Sequence, residues 1–400
     1  MKLYIYKTGI VGALMAIFLA LAACQSSEKA AHSAKIDISE NPPDLITTLY
    51  INPPLQNTSA SWLLQVKGSG HTFPGQRIST PEGAKIAALI NPAELGGGAI
   101  TLNIETAAQK TDSPFDFAVR DGKFLDLSED GAPVLSYVYG MHLIEGVPED
   151  RRRANYIHPI YGLDGEIVTD DFPEDHYHHR GLFFAWPTVV VDGDSLDLWH
   201  IDNIEKRFES WIVQESGPVF ARFGLKNAWH TKTRRAVEET VYFTVYRKGE
   251  KGRIIDVELT LEALDSDVFI AGSSDPKGYG GCNFRPAPSQ EEVITSELGE
   301  EGDSDLRRFP WADYSAVFEG AEKRSGVSIF QHTDNMNFPA GWCLRHYGFL
   351  GVAWPGNNPY LLRTGRPLTL RYRVWVHRGG ADDGGSAAAY EMYVNTMNAQ

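Results

Sequence analysis

Three stretches of this chain gather imidazole, guanidinium and phenol side chains, the groups that move protons and hold anions near neutral pH. The first runs from Tyr156-Ile157-His158-Pro159 to Asp175-His176-Tyr177-His178-His179-Arg180-Gly181 and holds four of the twelve histidines. In an extended chain His176 and His178 project to one face and His179 to the other. Three readings compete. Two imidazoles on one face, with His158 and a carboxylate from Asp170, Asp171 or Asp175, form a ligand set for a divalent ion; calcium, which prefers oxygen, fits it less well. A histidine titrating near neutrality beside Arg180 suits acid–base chemistry on an anion. The plainest reading is a polar loop whose histidines bond carbonyls and carboxylates. The run Leu182-Phe183-Phe184-Ala185-Trp186-Pro187 that follows Gly181 reads as a buried strand. A polar cluster launched from such a strand is pre-organised, which favours a functional role.

The second stretch, Asp275 to Arg285, places Gly278, Gly280 and Gly281 among the donors Lys277, Tyr279 and Arg285. A phenol beside a cation can act as a general acid. A glycine-rich hairpin with surface cations is the competing reading. The third stretch runs from Gln331-His332-Thr333-Asp334-Asn335 to Pro339 and continues through Trp342, Arg345 and Tyr347. Asn335 is a common turn former. Trp342, Arg345 and Tyr347 add a flat apolar face and a guanidinium fork, the combination that suits a sugar carrying a carboxylate or sulfate. Trp and Tyr are also ordinary core residues.

These motifs predict a carbohydrate-active enzyme that works by elimination on acidic oligosaccharides, of lyase or dehydratase type. Proton removal beside a uronate carboxylate requires that the charge be offset, for which Arg180, Arg285 and Arg345 are candidates. His178, His179 or His332 would take the proton, and Tyr279 or another His would return one to the departing oxygen. His158, Lys277, Asn335, Trp342 and Tyr347 would hold the substrate. The reaction needs no cofactor, although a divalent metal on His158, His176 and His178 stays open. Two alternatives stand beside it. One is a glycoside hydrolase using paired carboxylates from Asp170, Asp171, Glu174 and Asp175. The other is a non-catalytic glycan-binding lipoprotein that stacks sugars on Trp186, Trp199, Trp311, Trp342 and Trp354.

Taken in order, the His158 and His176–Gly181 motifs, Lys277-x-Tyr279-Gly280-Gly281, His332 to Pro339, Trp342-x-x-Arg345-x-Tyr347-Gly348 and Tyr372 to Gly379 resemble the PmoA-like family of exported bacterial proteins. The label of that family is borrowed from a methane oxygenase subunit. The resemblance spans most of residues 60–380 and implies a place beside carbohydrate-processing systems. The closing run Leu370 to His377 is also similar, at fold level, to the last strands of galactose-mutarotase-like sandwiches, which hold sugars on a concave sheet.

The elements that must position these groups are strands. Short runs of period-two character recur between turn signals, among them Ser61–Val66, Ala99–Glu105, Pro133–Tyr139 and Glu238–Arg247. Phe208–Val213, Val219–Asn227, Arg253–Leu261, Val327–Gln331, Gly348–Trp354 and Leu368–Val376 continue the pattern. Helical periodicity is confined to Ala387–Met397. The expected fold is all-β: a large antiparallel β-sandwich, supersandwich-like, over residues 121–400, with a small N-terminal β unit over 45–120. No glycine-rich phosphate loop follows a strand, so nucleotide chemistry lacks support.

Residues 1–23 have the parts of an export signal: Lys2 and Lys7, an apolar core from Gly9 to Ala20, and Leu21-Ala22-Ala23 before Cys24. That spacing predicts a lipoprotein whose Cys24 carries the lipid anchor, with residues 24–44 as linker. Gln25 is not Asp, so the expected address is the cell envelope at the outer membrane. The formal net charge of -15 argues against nucleic acid as a partner. Local clusters of Arg and His can still oppose that sign. Whether Cys282 and Cys343 pair is left open by their spacing.

Overall fold

Alternating apolar residues build two nine-stranded antiparallel sheets whose inner faces meet in one core. The computed structural model describes residues 32–54, 58–81, 83–107 and 112–398. Residues 1–23, read above as an export signal, and Cys24 lie outside the described residues. The chain is 56% strand and 5% helix, as the all-β expectation requires. Among the described residues no helix is long and apolar enough to cross a membrane.

The front sheet takes its strands in the spatial order Ser304–Arg308, Gly341–Arg345, Phe349–Ala353, Gly281–Phe284, Leu182–Ala185, Tyr156–Ile160, Ala132–Val138, Phe124–Glu129 and Phe115–Arg120. The back sheet runs Ile204–Ser216, Phe220–Thr231, Arg235–Tyr246, Gly252–Ala263, Leu368–Arg378, Ser325–Gln331, Trp311–Phe318, Ser289–Ser296 and Gly299–Glu300. Phe184, Cys282, Trp342 and Val352 from the front sheet pack on Leu225, Phe243, Leu259 and Val374 from the back sheet. Parity then sends the neighbours of these residues outward. Phe183, Cys343 and Phe349 form the outer face of the front sheet, together with Tyr156 and Trp199. Cys282 and Cys343 therefore lie on opposite faces of one sheet, and both are free thiols.

The outer face of the back sheet is also covered. A six-stranded N-terminal sheet sets Ile78 and Ala87, with Leu45 from the segment before its strand Thr47–Ile51, against Phe220, Ile254 and Trp375, and the C-terminal helix Ser386–Asn398 adds Ala389 and Tyr393. Two boundaries differ from expectation. Strand His32–Ile38 lies inside the stretch read as linker and pairs along its whole length with Gly98–Ile104. Strand Phe115–Arg120 belongs to the front sheet, not to the N-terminal unit. Its pairing partner is Phe124–Glu129, so the next hairpin in the chain captures it.

The C-terminal helix is fastened by a buried polar network. The Asp313 carboxylate accepts from Ser328 Oγ and faces His377 Nε2, both at 2.7 Å, and Ser328 Oγ lies 2.7 Å from Ser386 Oγ at the helix start. Burial raises the Asp313 carboxyl, but His377 and the serines outweigh it and hold it below its ordinary value. Removing one partner of such a pair leaves the other stranded in a low dielectric. We expect Asp313→Ala to destabilise the fold by about 3–5 kcal/mol in chemical denaturation; a loss well under 1 kcal/mol would show that water reaches the site.

Candidate active site

The His-rich segment does not run extended, as the spacing suggested. Turns close from His176 N–H to the Pro173 carbonyl and from His179 N–H to the His176 carbonyl, at 3.0 and 2.8 Å. They fold the segment back on itself, so His179 stacks on His176 with centroids 4.6 Å apart instead of pointing away. His178 stands edge-on to His179 at 4.7 Å. The cluster sits on the outer face of the front sheet, where His179 lies flat on Phe349 at 4.9 Å. Gly181 permits this seating, because a Cβ there would lie 2.0 Å from the Ile157 carbonyl oxygen.

Two Asp–His pairs flank the centre of the cluster. His176 Nδ1 lies 2.8 Å from Asp175, and His200 Nδ1 lies 2.8 Å from Asp197. A carboxylate on Nδ1 holds the proton there and leaves the Nε2 lone pair for chemistry. The His178 ring lies 5.5 Å from His176 and 4.5 Å from His200. Asp175 also accepts from Arg285 Nη2 at 2.8 Å. Burial raises the Asp175 carboxyl, but His176 and Arg285 prevail and lower it. Arg285 is 7% exposed; its Nη1 has no hydrogen-bond acceptor, and its Nε has only Asp170 at 3.9 Å. Half-exposed Tyr347 covers this guanidinium at 5.5 Å and stacks on His176 at 5.2 Å. His179 Nδ1 is likewise buried without a partner. Burial, followed by His200 and Arg153, pushes His178 down to about 2, and burial with His178 and His176 holds His179 well below its ordinary value. Both rings are therefore neutral at physiological pH.

Of the residues expected to act, the front face brings together His176, His178, His179, Tyr279, Arg285 and Tyr347. Tyr279 enters through Trp199, ring to ring at 4.7 Å. Burial, with Asp275 and Asp197, raises its pKa, so the expected cation-lowered phenol is not what stands there. Lys277 is exposed on the same loop. Arg180 is not a substrate ligand: it is fully buried, pairs with Asp171 at 3.3 Å and donates to the carbonyls of His179 and Arg151, each at 2.7 Å. Arg345 is spent on Asp305 and on the Ser304 carbonyl. Trp342 is wholly buried, its indole N–H bonded to the Phe309 carbonyl. Asn335 closes a turn against both backbone groups of Arg371, at 2.7 Å each.

His332 is separated from the cluster altogether. It follows a back-sheet strand and meets Tyr393 of the C-terminal helix edge-on at 5.7 Å. The third stretch is thus divided between the two sheets. His158 bonds Thr169 Oγ1 at 3.0 Å, and burial, with His142 and Arg180 nearby, lowers it to about 4. It keeps apart from His176 and His178, so that expected metal set is not assembled. Among the described residues no group of three or more His, Cys, Asp or Glu could hold a metal ion. The alternatives lose residues as well. Asp171 is committed to Arg180, and Trp186, Trp199, Trp311, Trp342 and Trp354 are all buried. His200 and Asp197 were missed by motif reasoning. Their i,i+3 spacing in Asp197-Leu198-Trp199-His200 is the only signal for them.

Burial gives the site a pH signature. The ordinary histidine value is 6.5, against about 4 for His158 and about 2 for His178 in the fold. Below pH 6.5 the unfolded chain takes up protons that these folded rings refuse, so their contribution falls with acidification. Asp171 has the opposite sign: burial, offset in part by Arg180, raises it to about 7, and its contribution is lost as pH rises. Comparing the wild type with His178→Asn isolates one ring. The drop in Tm between about pH 7.5 and about pH 5 should be smaller in the variant; equal drops would contradict the burial argument.

Residues 125–391 match the model of a family of unknown function, DUF6807. A search of curated proteins finds no match. Among solved structures, a 4-alpha-glucanotransferase from Thermococcus litoralis aligns at 11% identity over 68% of this chain, with a TM-score of 0.21. This chain spans 40% of that glucanotransferase, and a score so low carries no fold argument.

Proposed function

We propose that this chain, which belongs to the DUF6807 family, is a carbohydrate-active enzyme that cleaves acidic oligosaccharides by elimination on the outer face of its front sheet. One observation supports this above the others: the chain Arg285–Asp175–His176, with Arg285 Nε and Nη1 left without hydrogen bonds beside neutral imidazoles. A buried guanidinium with unused donors is a site for an anion, and a uronate carboxylate matches its fork. Tyr347 lies over these donors, and its outward swing would open them to the substrate.

Arg285 then offsets the carboxylate charge while Nε2 of His176 removes the proton from the adjacent carbon. The electron pair forms the new C=C bond and expels the glycosidic oxygen. Tyr279, whose phenol burial keeps protonated, returns a proton to that oxygen. His178 and His179 stay neutral between the two pairs and add hydrogen-bonding nitrogens without adding charge. The resemblance to the PmoA-like family and the envelope address read from residues 1–24 fit a role in glycan breakdown outside the cytoplasm.

Turnover is followed by absorbance of the unsaturated product from uronate-containing oligosaccharides. His176→Ala and Arg285→Ala are each expected to lower kcat/KM by about 100-fold or more, while His332→Ala leaves it unchanged. No unsaturated product across a broad uronate panel would sink elimination, whatever the variants do. For the anchor, Cys24→Ser should abolish labelling by a radioactive fatty acid and release the protein from the membrane fraction; labelling that persists would reject Cys24.

A further inference from the structure

The structure carries a recess of mixed apolar and polar lining, remote from the histidines of the front sheet. It holds about 180 Å³ between the outer face of the back sheet and the N-terminal sheet. Its floor is two cross-strand rows. In one, Tyr242, Glu258 and Arg371 are sheet neighbours; in the other, Thr244, Asp256 and Arg373 are. Each row holds an ion pair: Glu258 with Arg371 at 2.7 Å, and Asp256 with Arg373 through two bonds at 2.6 and 2.9 Å. Arg222 lies over the Tyr242 ring at 4.5 Å, and Gly224 leaves that ring room, since a Cβ there would lie 2.3 Å from it. The N-terminal hairpin supplies Ser79, Thr80 and Pro81 as one wall, and His332 closes another. His332 Nδ1 accepts from the Asp334 N–H at 3.0 Å, which places the proton of the neutral ring on Nε2 as a donor.

We propose that this recess binds one neutral pyranose ring, the end of an oligosaccharide or a free hexose. Carboxylates pinned by guanidinium groups cannot turn away, so each pair presents fixed acceptors beside fixed donors, the pattern that neighbouring sugar hydroxyls satisfy. Tyr50, Pro81 and the edge of the Tyr242 ring line the recess and supply the apolar surface that C–H groups of a sugar ring require. The two ion pairs cancel in charge, and Glu215 lies 4.0 Å from Arg222, which together favour a neutral sugar over a uronate. The site is independent of the elimination reading, because none of its residues belongs to the front face.

Calorimetric titration of the full chain with D-glucose, D-galactose, D-mannose and D-glucuronate tests it. At least one neutral hexose should bind with Kd of about 1 mM, more tightly than glucuronate. Tyr242→Ala and Glu258→Gln should each weaken that binding by about tenfold, while His176→Ala leaves it unchanged. Thr80→Trp, which fills the recess from its rim without touching the ion pairs, should abolish binding in a protein of unaltered Tm. Absence of heat with every neutral hexose, tighter binding of glucuronate, or retention of binding in Thr80→Trp would each overturn the assignment.

Discussion

The site on the front sheet exists because two buried arginines hold its loops down. Arg180 donates to carbonyls at both ends of the local chain path and rests on the Phe172 ring at 3.5 Å, with Asp171 as its counter-charge. Arg153 reaches the carbonyls of His178 and Leu198 at 3.0 and 2.8 Å, tying the His176–His179 turn to the segment that bears His200. Histidine rings that stack face to face have no strong mutual attraction in water. Their arrangement is imposed by backbone that cannot move, and a guanidinium with several donors fixes backbone better than any single hydrogen bond.

The two outer faces of the sandwich are used differently. On the front face a short loop covers the sheet, and the groups above it are neutral imidazoles, phenols and one guanidinium with donors to spare. On the back face a whole second sheet covers the strands, and the charges there are already balanced in pairs. The first arrangement leaves unmet electrostatic demand, which chemistry on an anion can use. The second leaves shape and hydrogen-bonding pattern, which suit recognition. Both faces arise from one rule, that residues alternate in and out along each strand.

Much of this was legible in the sequence. Strands such as Ser61–Val66 and Leu368–Val376 announced themselves through period-two alternation, and the C-terminal helix through its helical periodicity. Strand His32–Ile38 was hidden because its polar residues and the Pro42-Pro43 that follows look like tether; only pairing with Gly98–Thr106 makes it a strand. The reading of Trp342 failed on parity. Whether a residue faces core or solvent depends on strand register, which its own neighbours in sequence do not decide. Arg180 failed for a related reason, since an arginine beside histidines reads as a ligand until its acceptors, distant carbonyls, are known. Asp197 and His200 carry no cluster in sequence and became visible only when the fold set them beside His178.

The position of strand Leu368–Arg378 bears on how the molecule comes into being. It follows the other described strands in sequence, yet it lies in the interior of the back sheet, flanked by Gly252–Ala263 and Ser325–Gln331. Until residues 368–378 leave the ribosome, those two neighbours have exposed edges and no ladder between them. Closure requires pairing across more than a hundred residues on one side, which makes acquisition of the native sheet slow and late. A nascent chain in that state exposes adhesive strand edges, and its success depends on being kept apart from other copies until this strand arrives.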